Sequence, residues 1–412
     1  MNTEWKKNLL IKKEIVEKCK QIKPIDIVVG VLCKDVETTI LNVLNVVNEG
    51  LYRYFPDHKK AIVITEGEST DKTSEVIELF KPYNSISRIV TKDMATGGKG
   101  AGVRTIFEIA HFAEAKSVVL VDGDLLSIKP GWIESMVNPI MYGRADLTVP
   151  YYIRDKNDGV ITNNLVYPFT RTLYGIDIRQ PIAGEYALSK NVYEILRKHP
   201  LFPPDFGIDI FILTVAAAEG GYVKEGLFSL KIHESTTRYL EPEKFLVPMF
   251  RKVTASMFEL AKYYEDYWKA RPQLQRRGFY RECFSLKPIP VKINLKNLKS
   301  TFNNEFSSSK EVMTHFLPND IINDLEKVVK NRKKFDSELW AEVVFNYAAA
   351  YKNLKREPDK YLLLDSLKTL WIGRFISYAI ETKDMDITEA ETILQKQAEV
   401  FEEKFDYLRS IY

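Results

Sequence analysis

A chain of 412 residues that is 45% hydrophobic and 28% charged is globular, with room for two or three domains, and is neither disordered nor fibrous. Its 59 Lys plus Arg against 56 Asp plus Glu leave a net charge of +3, which excludes the whole-molecule basic field of a nucleic-acid binder. Three scattered cysteines, Cys19, Cys33 and Cys283, form no CxxC pair and no disulfide framework, so a cytoplasmic location is expected. The N-terminus is studded with charges and lacks the apolar core of a signal peptide. The longest charge-free stretch, Gly159 to Thr170, falls well short of the roughly 18 apolar residues of a membrane span. A soluble protein without membrane or nucleic-acid partners is expected.

In chain order, residues 1–24 read as an amphipathic helix ending before Pro24. Ile25 to Leu32 is a short, β-branched apolar run that fits a buried strand. Thr38 to Val47 has helical spacing, Lys60 to Thr65 is a second strand, Asp71 to Phe80 a helix and Ile86 to Thr91 a third strand. A Gly-rich turn at Thr96 to Gly102 leads into a helix from about Val103 to Ala113, and Ser117 to Val121 is a strand that ends in Asp122-Gly123-Asp124. Such alternation predicts an α/β fold with a mostly parallel sheet, whose ligands bind at the carboxyl ends of the strands. Beyond about Arg251 helical patterns dominate: Thr254 to Ala270, Ile321 to Arg332, Ser337 to Leu354, Tyr361 to Glu381 and Asp386 to Leu408. Phe284 to Ser309 reads as a polar connection. Two domains are expected, 1–250 and 251–412.

The residues able to carry chemistry cluster at predicted strand ends. Asp122 and Asp124 follow a buried strand, and two carboxylates so close call for a cation. Mg²⁺ or Mn²⁺ bound to a nucleotide diphosphate suits them; the alternative is a solvated Asp-Gly turn. The stretch Ala95 to Gly102 is neither a Walker A loop nor a dinucleotide fingerprint. Its glycines can bring backbone amides to a phosphate with Lys99 adding charge, or can simply form a flexible turn. His233 follows a strand-like run, Leu227 to Ile232. Glu185 sits in an unusual loop, Gln180 to Tyr186, and Asp209 opens an apolar helix. No GxSxG, HExxH or catalytic cysteine context is present.

Taken together these features resemble a GT-A glycosyltransferase, the Rossmann-like nucleotide-diphospho-sugar fold. Glu68-Ser69-Thr70-Asp71-Lys72-Thr73 is similar to that superfamily's DGSTDGT segment and Gly98 to Gly102 to its GKGxA segment. The resemblance sharpens to the retaining mannosylglycerate and glucosylglycerate synthases over residues 25 to 245. It rests on Val121 to Asp124 with Pro130-Gly131-Trp132, on Gln180-Pro181 with Gly184-Glu185, on Gly207-Ile208-Asp209 and on His233. Arg154, Asp158 and Thr162 match the family's acceptor segment. The first-strand loop, Leu32-Cys33-Lys34-Asp35, departs from the usual Asn-Glu or His-Glu, and Glu66 or Glu68 stands where an Asp is common.

The resemblance implies a retaining hexosyltransferase that moves mannose or glucose, from a GDP-linked donor first of all, to D-glycerate, as in compatible-solute synthesis. It implies that Asp122, Asp124 and His233 serve the metal. Asp35, Glu66, Glu68, Lys99 and Asp122 would serve the nucleotide, and Glu185 and Asp209, with Lys99, the transferred sugar. Arg154, Asp158 and Thr162 would hold the acceptor, with Arg154 clamping a carboxylate; the alternative for Arg154 and Asp158 is a surface ion pair. The helical region would serve self-association as a dimer or larger. Rival readings are a glucosyl-3-phosphoglycerate synthase and, in another class, a non-catalytic nucleotide- or RNA-binding protein resting on Arg276-Arg277 and Lys330 to Lys334.

Overall fold

The structure, a computed structural model, describes residues 12–92, 98–234, 242–270 and 286–412. They form two compact units, 1–152 with 182–245 and 153–181 with 246–412. The sequence reading divides the chain at 250 and leaves 153–181 with the strands; in the structure that segment packs with the helices.

The first unit opens with α1 (Lys13–Ile22); the remainder of the expected N-terminal helix, residues 1–11, lies outside the described residues. Then come β1 (Ile27–Cys33), α2 (Ile40–Tyr54), β2 (Lys60–Glu66), α3 (Thr73–Leu79), β3 (Ile86–Lys92), α4 (Lys99–Phe112), β4 (Ser117–Asp122) and α5 (Pro130–Met141). The alternation predicted from hydrophobic period is present throughout this stretch. β5 (Leu147–Ile153) ends the first passage; after the return come β6 (Tyr186–Ser189), α7 (Lys190–Lys198), α8 (Ile208–Ala218) and β7 (Val223–Leu230).

The sheet runs β3-β2-β1-β4-β6-β5-β7. β1 pairs in parallel with both β2 and β4, which is why its apolar run is continuous rather than alternating. β6 is antiparallel to β4 and to β5, so the expected parallel sheet is mixed on that side. Chain direction out of β1 diverges towards β2 on one side and β4 on the other, which opens a crevice at their carboxyl ends.

In the second unit, a π-helical turn (Thr162–Val166) runs into α6 (Tyr167–Tyr174). The later helices are α9 (Pro242–Tyr263), α10 (Glu265–Lys269), α11 (Leu295–Met313), α12 (Asn319–Val329), α13 (Ser337–Asn353), α14 (Glu357–Glu381), α15 (Ile387–Glu403) and α16 (Phe405–Ile411). Where a polar connection was expected at 284–309, α11 buries Phe302, Phe306 and Met313 at helical spacing, and Phe302 lies over Gly373 of α14. Sparse apolar residues hid that stripe. Leu363, Leu364, Leu367 and Trp371 of α14 are buried as their pattern requires, whereas Leu362 is exposed. Among the described residues no helix is long and apolar enough to cross a membrane.

Segment 153–181 is fastened within this unit through its backbone. A π turn shifts the hydrogen-bond ladder, and carbonyls in it and just before it accept from side chains. Trp371 Nε1 donates to Val160 O at 3.3 Å, Gln397 Nε2 to Asn163 O at 3.0 Å and Trp340 Nε1 to Asn164 O at 2.5 Å. Arg179 adds a buried two-pronged ion pair to Glu391 at 2.6 and 2.9 Å.

Candidate active site

The loops after β1 and β2 are laced together by the Glu68 to Thr73 segment. Asp35 Oδ1 accepts from the Thr70 amide at 2.7 Å, and the Ser69 hydroxyl accepts from the Asp35 amide at 3.0 Å. Glu66 is buried and accepts from the Ser69 amide. The Asp71 carboxylate, held below the usual range as hydrogen bonds from Thr73 and Glu37 outweigh its slight burial, accepts from the Glu37 amide. Of the four acids expected at the nucleotide, Asp35 and Glu66 accept hydrogen bonds within these loops, Glu68 is exposed at a positive φ of 55°, and Asp122 ends β4.

Lys99 opens α4. Its backbone is placed by Gly100, where a Cβ would come within 2.1 Å of Pro203 O, so only glycine lets the helix start approach that loop. The remainder of the Gly-rich stretch, Ala95 to Gly97, lies outside the described residues. Lys99 Nζ lies 2.9 and 3.0 Å from the two Asp122 oxygens and 3.2 Å from Asp209 Oδ1. Burial alone would lower the Lys99 pKa; the carboxylates of Asp122, Asp209 and Glu185 outweigh it and hold the ammonium above its ordinary value. Burial, with Glu185 and Asp124 nearby, pushes Asp122 up to about 7 despite Lys99 and Lys231.

Gly184 seals this cluster. It has φ +99°, and a Cβ there would meet Asp122 Oδ2 at 2.7 Å, Lys231 Nζ at 3.1 Å and Lys99 Nζ at 3.7 Å. Beside it, Glu185 is fully buried, with Lys231 Nζ at 2.8 and 3.0 Å and the Tyr152 hydroxyl donating at 2.8 Å. Glu185 was expected to hold sugar hydroxyls. Both of its oxygens accept hydrogen bonds and none of it is exposed. Lys231 and Tyr152 were missed by sequence reasoning; the available signal was a lone cation inside the apolar run before His233.

Asp124 Oδ2 lies 3.6 Å from His233 Nδ1. The backbone enforces this meeting: Leu125 bridges His233 antiparallel, and the Glu234 amide donates to Asp124 O at 3.0 Å. Thr39 hydroxyl to Gly123 O and Thr38 hydroxyl to Glu234 tie the β1 loop to both. Among the described residues no three His, Cys, Asp or Glu side chains gather to hold a metal unaided. The pair of Asp124 and His233 nevertheless fits Mg²⁺ or Mn²⁺, which bind through few protein ligands when phosphate oxygens and water complete the shell. Asp122, expected to share that task, gives its oxygens to Lys99.

Arg154, Asp158 and Thr162 lie in the second unit and meet around Gly159, whose Cβ position is 3.2 Å from an Arg154 guanidinium nitrogen and 3.9 Å from Thr162 Oγ1. Asp158 is buried and accepts from the Gly159 amide. In the basic run 330–334, Lys330 and Lys333 pair with Glu326 and Asp324, while Arg276-Arg277 lie outside the described residues.

Residues 28–186 match the model of the family described as glycosyl transferase family 2. This stretch, with its β1–β4 crevice, is a GT-A, Rossmann-like domain; the sheet is completed by β6 and β7, and a helical region begins at α9. No curated protein matches the chain significantly. Among solved structures, glucosyl-3-phosphoglycerate synthase from Mycobacterium tuberculosis with Mn²⁺, UDP and glucosyl-3-phosphoglycerate is similar at 23% identity, covering 60% of this chain and 82% of that one, TM-score 0.47. Its complex with Mg²⁺ and UDP gives 22%, 61%, 84% and 0.47. Its complex with Mn²⁺, UDP-glucose and phosphoglyceric acid gives 21%, 68%, 91% and 0.48.

Proposed function

We propose that this chain is a metal-dependent, retaining hexosyltransferase that moves mannose or glucose from a nucleotide-diphosphate sugar to D-glycerate. The observation that carries the reading is the charge cluster at the end of β4: Lys99 held between Asp122 and Asp209, with Asp124 and His233 paired beside it. The glycosyl transferase family match over 28–186 supports the reaction class. Asp124 and His233 hold the cation, which when bound neutralises the diphosphate. Lys99 stabilises negative charge growing on that leaving group. Asp209, at the start of α8, holds sugar hydroxyls, and the Glu185–Lys231 pair keeps the Gly184 loop in place.

Free glycerate is favoured over 3-phosphoglycerate by charge. Arg154 matches one carboxylate, and the neighbouring Lys156 ammonium is occupied by three backbone carbonyls, Thr382 O, Lys383 O and Met385 O. The test is a screen of GDP-, UDP- and ADP-linked mannose and glucose against D-glycerate and 3-phosphoglycerate, with products read by mass spectrometry. The GDP sugar implied by the resemblance is the first donor to try. A preference for 3-phosphoglycerate overturns the acceptor assignment, and proton NMR of a β-linked product overturns retention. In the same assay Arg154→Ala raises the glycerate KM at least about tenfold, near 1.4 kcal/mol, and leaves the donor KM nearly unchanged. An unchanged glycerate KM removes Arg154 from the acceptor site.

A further inference from the structure

We propose that Lys156 is a positioning residue, a clamp that fixes the acceptor segment onto the end of α14 without touching the acceptor. The proposal rests on the reading that Arg154, Asp158 and Thr162 bind the acceptor. Its observation is independent of that reading. Lys156 Nζ donates to Thr382 O at 2.5 Å, Met385 O at 2.6 Å and Lys383 O at 3.0 Å. An ammonium has three N–H donors, so this set uses all of them.

The carbonyls come from the place where a cation is worth most. Thr382 caps the C-terminus of α14, where the last carbonyls lack helical partners and the dipole favours positive charge. The cradle is stiff on its far side as well. Asp386 starts α15 with a capping box: its carboxylate accepts from the Thr388 and Glu389 amides, and Glu389 accepts from the Asp386 amide. The joint between α14 and α15 is thus wrapped around one side chain.

Four residues on, Val160 O accepts from Trp371, which also belongs to α14. Residues 156–160 are therefore pinned at one end to the joint that follows α14 and at the other to α14 itself, and Asp158 and Gly159 stand between the pins. Within the stretch, Asp155 O and Oδ1 accept from the Asp158 and Asn157 amides, and the Asn163 side chain donates to Asp158 O. Loss of the Lys156 pin frees the side on which Arg154 sits and leaves the Trp371 pin intact. The expected consequence is weaker acceptor binding with unaltered chemistry.

Lys156→Met, Lys156→Gln and Lys156→Arg are assayed with the preferred donor on both acceptors, and amide hydrogen exchange is followed over 154–162. Expected for Met and Gln is a glycerate KM raised about tenfold, with kcat at saturating glycerate and the donor KM within about twofold. Arg, which also offers several donors, restores most of the KM, and exchange over 154–162 quickens in Met and Gln only. Should Met fail to fold, Gln decides. An unchanged glycerate KM, or an equal fall in kcat with no change in KM, overturns the clamp. A selective loss of 3-phosphoglycerate use overturns it too, by making Lys156 a phosphate ligand. If the wild type uses neither acceptor, the functional reading fails, and unchanged exchange over 154–162 would then overturn the fastening by itself.

Discussion

Lys99→Met lowers kcat by about 10²–10³-fold, the range seen when one donor to developing negative charge is removed. The side chain is only 13% exposed and lies between two carboxylates, so its loss also strands Asp122 and Asp209 in a poorly solvated place. Breaking such a buried pair from one side costs about 3–5 kcal/mol. The pH dependence follows from Asp122, whose folded pKa of about 7 lies above its ordinary value of 3.8, burial being the main cause. A carboxyl raised on folding stabilises fully below the ordinary value, and that stability is lost as pH rises through the folded one. Metal-free protein is therefore expected to lose stability between about pH 4 and 7. Lys99→Met steepens that loss, because the lysine no longer offsets it. Urea denaturation across this range, with kcat measured on folded protein, checks both parts. Lys99→Met combined with Asp122→Asn regains stability and not turnover. A single variant with wild-type kcat removes Lys99 from the chemistry.

Chelation with EDTA abolishes turnover, and added Mg²⁺ or Mn²⁺ restores it. The Asp124–His233 pair gives two protein donors at 3.6 Å from each other, so the remaining places fall to diphosphate oxygens and water. Asp124→Ala and His233→Ala each leave one donor and lower kcat at least about 100-fold, a few kcal/mol of charge stabilisation. Calorimetry gives a readout free of turnover. Nucleoside diphosphate binding to the wild type tightens with Mn²⁺, and in either variant that gain shrinks. Full activity of EDTA-treated protein would exclude the metal role. Asp122→Asn keeps most of the Mn²⁺ gain in binding, because Asp122 is paired with Lys99 rather than with the Asp124–His233 pair.

The alternation of strands and helices was legible because period and β-branched runs are local properties. β1, β2 and β4 follow from the runs Ile25 to Leu32, Lys60 to Thr65 and Ser117 to Val121, and the structure places them at Ile27–Cys33, Lys60–Glu66 and Ser117–Asp122. Asp122 and Asp124 stand at a strand's carboxyl end because the apolar run stops there, so their place in the crevice was also legible. The family match over 28–186 agrees with motifs read in order, whose spacing survives where pairwise contacts cannot be seen.

Partnerships were decided only by packing. Lys99 and Asp209 are 110 positions apart, and Lys231 and Glu185 46 apart, and no local pattern says which carboxylate each lysine takes. Glu185 reads as a site acid, and its burial against Tyr152 and Lys231, which come from distant parts of the chain, is not legible in the sequence. Segment 153–181 falls inside the domain expected over 1–250, yet it groups with the later helices, where Trp371, Gln397 and Trp340 donate to its Val160, Asn163 and Asn164 carbonyls from far along the chain. Hydrophobic period is written residue by residue. The choice of partner for a buried charge or an orphan carbonyl depends on which distant donor the folded chain brings within about 3 Å, and only the tertiary structure makes that choice.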